Sequence, residues 1–169
     1  DRWTLATSLG FGYEKNLATD PKFDENGDPV YNDDGSRRTR GYIPSIKVFR
    51  LDGIHSVRGF SDGEINRLLS GEDIGRVVIQ DEAYFLNLKV EPRYRVTDNF
   101  TVGPFFDAGR VYVNTFKPLE LRKSMGVSFK VVTPVGSLDF DYGVKLRRER
   151  LPEGGRESFG RFHLSIGHF

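Results

Sequence analysis

The 169 residues include no cysteine, one methionine, 13% aromatic and 29% charged residues, at a formal net charge of +1. The near-neutral balance argues against nucleic-acid binding by bulk charge, and without cysteine there is no disulfide, thiolate metal site or thiol nucleophile. A spanning helix needs about 20 predominantly apolar residues in succession; charges or glycines break every stretch sooner, which excludes helical membrane proteins but not a β-barrel, where only alternate residues meet lipid.

No leader pattern is visible, since Asp1-Arg2 run straight into a strand pattern; a mature form or a piece of something longer is expected. From Trp3 the odd positions are Trp3, Leu5, Thr7, Leu9, Phe11 and Tyr13, against Arg2, Thr4, Ala6, Ser8, Gly10, Gly12 and Glu14. That period of two is a strand with one apolar face. From about Lys15 to Val78 the pattern lapses. An acidic, turn-rich tract (Asp20 to Pro29, then Asp33-Asp34-Gly35-Ser36) precedes Ser56-Val57-Arg58-Gly59-Phe60. A connection this long is functional or disordered in most proteins.

Alternation then resumes. Tyr84, Leu86, Leu88 and Val90 oppose Ala83, Phe85, Asn87, Lys89 and Glu91, ahead of Pro92. Val102, Pro104, Phe106 and Ala108 oppose Thr101, Gly103, Phe105, Asp107 and Gly109. Met125, Val127, Phe129 and Val131 oppose Ser124, Gly126, Ser128 and Lys130. After Pro134-Val135-Gly136, Leu138, Phe140, Tyr142, Val144 and Leu146 oppose Asp139, Asp141, Gly143, Lys145 and Arg147. Last, Phe162, Leu164 and Ile166 oppose Arg161, His163, Ser165 and Gly167.

Three properties favour an all-β, antiparallel transmembrane barrel. Most of these stretches alternate over about ten residues, the length of a tilted membrane strand rather than of a soluble one. The second face holds Lys89, Glu91, Asp139, Asp141, Lys145 and Arg147, which suit a hydrated lumen and not a dry core. Tight turns at Thr97-Asp98-Asn99 and at Thr133 to Gly136 alternate with longer links at Lys15–Val78, Asn114–Leu119 and Leu151–Glu157, as on the two rims of outer-membrane barrels. The rival is a soluble sandwich or lipocalin-type barrel, with the opposite sign: apolar inside, polar outside. Six strands are too few to close, since bacterial single-chain barrels begin at about eight. Further strands are therefore expected, on the N-terminal side, because the first residues already lie in a strand.

Four motifs in this order resemble the BamA-like superfamily of outer-membrane protein assembly factors, which includes the two-partner secretion transporters. They are Val57-Arg58-Gly59-Phe60; Phe105-Phe106-Asp107-Ala108-Gly109, which fits F-x-D-x-G; the strand pair around Thr133 to Gly143; and the end, Phe162-His163-Leu164-Ser165-Ile166-Gly167-His168-Phe169, similar to a terminal β-signal. The resemblance implies that residues 1–169 are the last six strands of a sixteen-stranded barrel, with Lys15–Val78 as its sixth outer loop. It implies a bacterial outer-membrane location, with lipid, the remaining barrel strands, periplasmic N-terminal domains, nascent outer-membrane proteins and accessory subunits as partners. It also implies that Arg58 pairs with Asp107, with Glu91 as second acceptor. Both carboxylates fall on the polar faces, and such a charge-assisted pair fixes geometry more than it adds net stability. By the same resemblance, the strand with Phe162, Leu164, Ile166, Gly167 and Phe169 forms one side of the barrel seam.

Other chemistry is not supported. Asp24, Asn26 and Asp28 alternate like calcium ligands, but Pro29 stands where an EF-hand loop needs glycine; a solvated or weakly cation-binding loop is the simpler reading. His55, His163 and His168 lack metal spacing. Asp139 and Asp141, two apart, share a face, but lumen solvation explains them more simply than acid–base catalysis, and no phosphate loop or dinucleotide fingerprint is present. No enzyme, cofactor, metal or nucleic acid is expected. The expected function is insertion and folding of β-barrel proteins; a polypeptide translocation pore of the same superfamily and a soluble β-sheet binding protein are the alternatives.

Overall fold

A computed structural model describes residues 2–18, 20–32, 35–44, 47–68, 71–77, 79, 81–134, 136–151 and 154–167. Of the positions singled out above, Asp1, Asp33, Asp34, Val78, Val135, His168 and Phe169 lie outside the described residues. The alternating stretches become β1 (Trp3–Lys15), β2 (Glu82–Thr97), β3 (Phe100–Val113), β4 (Arg122–Thr133), β5 (Gly136–Lys145) and β6 (Gly160–Gly167). They form one antiparallel sheet in chain order, β1 to β6.

The sign of the sheet is that of a membrane wall. On the outward face Trp3, Leu5, Leu9, Phe11, Met125, Val127, Phe129, Tyr142, Phe162, Leu164 and Ile166 are exposed, whereas Asp107 on the inward face is fully buried. A soluble barrel would reverse both. Aromatics cluster toward the ends of the outward face: Trp3 against Tyr94, and Tyr13, Tyr84, Phe11 and Tyr112 around Phe116. Phe116 belongs to the β3–β4 connection, which thus lies down over the outside of the wall.

Two details go beyond the alternation. β2 passes through Pro92 and runs on to Thr97, where the tight turn was expected. Its ladder to β3 is paired up to Val90↔Phe106 and again from Tyr94↔Val102; the same register sets Pro92 opposite Pro104 in the gap. Two residues without N–H donors face each other, so the rungs lost to one strand are lost to the other in the same place. β5 ends at Lys145, before the alternation does. Instead, residues 146–151 are joined to 154–159 by the Arg150↔Arg156 bridge and the Glu157 N–H donating to the Glu149 carbonyl.

The expectation of a wet inner face holds only for part of the wall. The β1–β2 connection folds inward and carries its own apolar core: Ile43, Val48, Leu51, Val57, Phe60, Ile65, Leu68, Ile74 and Ile79 are buried against Ala83 and Val111 of β2 and β3. Phe85 and Phe49 join them, and β1 makes room by omission, since a Cβ on Gly12 would fall 2.3 Å from the Phe85 ring. Periodicity does not announce this core, because its residues follow neither helical nor strand spacing. The same connection contains a one-turn helix, α1 (Asp62–Ile65), and an acidic ribbon bridged at Pro21↔Thr39, Phe23↔Pro29 and Tyr31↔Arg37. Asp24 there caps a turn, its Oδ1 accepting from the Asn26 and Asp28 N–H groups at 2.9 Å each.

Candidate functional site

The site grows from a tight turn. The Asp52 carboxylate accepts from the His55 and Ser56 N–H groups, and the chain then delivers Val57-Arg58-Gly59-Phe60 to the inner wall. Asn66 holds the other side of the turn: its Oδ1 accepts from the Leu51 N–H at 2.8 Å, and its Nδ2 donates to the Leu51 carbonyl. A side-chain amide thus replaces a missing strand neighbour for Leu51.

Arg58 is 2% exposed and spends its donors on carboxylates from separate strands. Asp107 of β3 takes three bonds, from Arg58 Nε at 2.8 Å, Nη2 at 2.9 Å and the backbone N–H at 3.0 Å. Glu91 of β2 accepts from Nη1 at 2.6 Å, and Asp141 of β5 lies 3.4 Å from the same nitrogen. The guanidinium carbon sits 3.6 Å from the centroid of the Phe105 ring, a cation–π contact in addition to the fork. Burial alone would weaken the guanidinium's hold on its proton; the bonds to Asp107 and Glu91 outweigh that, and Arg58 titrates above its ordinary value. It is a permanent cation here.

Each further motif position has a geometric reason. Gly59 has φ +92°, a left-handed conformation that glycine adopts without strain, and its backbone lies directly on β5. A Cβ on Gly143 would be 2.7 Å from the Gly59 nitrogen. On β3, Phe105 forms the floor under the guanidinium, Asp107 receives it, and Gly109 clears space for Val57, whose Cγ2 lies 2.8 Å from where a Cβ would be. Beneath Phe105, β4 presents Ser124, Gly126 and Ser128 inward, and a Cβ on Gly126 would strike the Phe105 ring. Small residues there are what let an aromatic floor fit between strands.

The sequence reading missed several partners. Asp141, taken for a solvated lumen residue, is a third acceptor. His163, set aside for lack of metal spacing, accepts from the Gly59 N–H through Nε2 at 2.9 Å, which requires the neutral ring with its proton on Nδ1. The signal was present: Asp141 and His163 both face inward and are paired in register. Phe60 is buried between two cations, with Arg122 4.7 Å and Lys145 5.3 Å from its centroid. Lys145 donates to Glu64 of α1 at 2.6 Å, and Arg122 to Glu149 at 2.7 Å and to the buried Glu157. The Glu64 carboxyl, despite its burial, is held below the usual range by Lys145 and by the Ser61 N–H. These contacts span remote segments, so no local pattern announces them. On the far strand Phe162, Leu164 and Ile166 project outward as expected, and Gly167 pairs with Ser137.

An antiparallel wall that is greasy outside and polar inside, with a long connection pinned to its inner surface by a buried arginine, defines part of a transmembrane β-barrel with an infolded loop. The chain belongs to the Omp85 superfamily, whose domain matches residues 1–169. It is 32% identical over 135 residues to the outer membrane protein assembly factor BamA of Nitratidesulfovibrio vulgaris (strain Hildenborough), a match that covers 77% of this chain and 16% of that protein. The chain therefore spans about a sixth of that relative's length. No solved structure is a significant match.

Proposed function

We propose that these residues are the barrel wall and latch of an outer-membrane protein assembly factor, which inserts and folds β-barrel proteins in the bacterial outer membrane. The superfamily supports outer-membrane protein assembly at the family level, and the relative of that name supports the assembly branch. The observation that carries the reading is Arg58, whose acceptors lie on β2, β3 and β5. It fixes the β1–β2 connection inside the wall, where a rigid inner surface holds the barrel shape while a substrate strand docks elsewhere. Insertion then proceeds by strand addition at an open edge, with no covalent step. In this reading the whole protein works with lipid, nascent barrel proteins, its other barrel strands, periplasmic domains and accessory subunits, as the resemblance implied.

The test is reconstitution of the complete protein in liposomes with an unfolded barrel substrate. The expected product is a substrate embedded in the bilayer and resistant to protease, with the yield lowered by Arg58→Ala. Substrate released across the bilayer would favour the translocation-pore alternative, and monodisperse behaviour of the protein in buffer without detergent would favour a soluble binding protein.

A further inference from the structure

The outer end of the wall carries a second concave feature that the latch does not use. A groove of about 450 Å³ lies beside the β3–β4 connection, lined among others by Arg110, Leu119, Lys123, Leu146, Arg147 and Glu149. Arg110 and Lys123 have the outward parity of β3 and β4, and Leu119 and Leu146 are exposed at 89% and 49%. We propose that this groove binds the phosphate-bearing headgroup of an outer-leaflet lipid, with the leucines against the start of its acyl chains.

Position is the first argument. Phe116, from the same connection, packs with Tyr84, Tyr112 and Phe11 on the outward face. Aromatic clusters of this kind mark the headgroup level of an outer-membrane barrel, and the long-loop rim is its outer side. Chemistry is the second. Arg110 is 5% exposed, its Nε is buried with no hydrogen-bond partner, and its remaining contacts are long, 3.5 Å to the Glu120 carbonyl and 3.6 Å to Glu149. Glu149 is already held at 2.7 Å by Arg122, and Glu120 is paired with Lys117 at 3.5 Å. Among the described residues neither Lys123 nor Arg147 forms an ion pair, and both are exposed. A buried, under-used guanidinium flanked by two free cations has donors to spare, and a phosphate takes a planar fork and point charges together. Leucines beside cations, at the level of the aromatics, specify an amphiphile and not a soluble anion.

The inference rests on the membrane reading above, and its test separates the two. The complete protein is placed in nanodiscs of phosphatidylcholine with a minor share of either lipid A or phosphatidic acid, and the lipids retained after extraction are measured by native mass spectrometry. Retention of the phosphate-rich lipids over phosphatidylcholine is expected. Lys123→Met with Arg147→Met is expected to lower that retention roughly thirtyfold, from the loss of two surface cations, while Lys22→Met in the acidic ribbon leaves it unchanged. Arg110→Gln is expected to lower it as well. Failure to enter the nanodisc would overturn the membrane reading itself. Normal insertion with retention indifferent to all three groove substitutions would overturn the lipid site alone. Displacement by inorganic phosphate as readily as by lipid would likewise reject a lipid as the occupant.

Discussion

At the scale of single residues the latch is unequal in its parts. Arg58→Ala leaves Asp107, Glu91 and Asp141 facing one another on the buried inner wall, whereas Asp107→Ala leaves the guanidinium with two acceptors. Removing one partner of a buried pair costs about 3–5 kcal/mol. Arg58→Ala is expected at the upper end, Asp107→Ala below it, and Arg58→Ala/Asp107→Ala little worse than Arg58→Ala because both remove one contact. Protease cleavage within the β1–β2 connection of the complete protein measures this; additive losses would mean that the two side chains act separately. Asp107 was legible in the sequence because parity placed it inward and a motif placed it near Arg58. Asn66, Glu157 and the cation pair around Phe60 were not, because each joins segments whose proximity only the folded chain creates.

At the scale of elements, period-two patterning located every strand of the sheet and assigned its faces. It succeeded because one face meets lipid, which tolerates few exceptions. Where that constraint lapses, so did the reading: the β1–β2 connection builds a core with irregular spacing, and the β3–β4 connection drapes over the wall. The facing rule gives a prediction on β6. Leu164 is 53% exposed outward, and Ser165 is its inward neighbour. Leu164→Arg is expected to destabilise the complete barrel, by up to the roughly 2–4 kcal/mol that a basic side chain costs on a lipid face at the midplane, and Ser165→Arg by far less. Urea unfolding in lipid vesicles checks the difference; equal losses would undo the face assignment.

At the scale of the whole molecule, the sheet is an open arc, with β1 and β6 at its two ends and no pairing between them among the described residues. Unpaired N–H and C=O groups along both edges are untenable in hydrocarbon, so residues 1–169 expressed alone are expected to show no insertase activity in the reconstituted assay, while the complete protein does. Activity from this segment alone would refute the proposal that it serves as part of a larger barrel. The latch has a mechanical corollary. Hydrogen-bond ladders join only adjacent strands and leave the bend between them soft, but Arg58 reaches β2 and β5 at once, and the next residue reaches β6. It spans the arc like a chord, so the curvature of these six strands is braced from within, and slackening that brace would let the wall flatten without breaking a single rung.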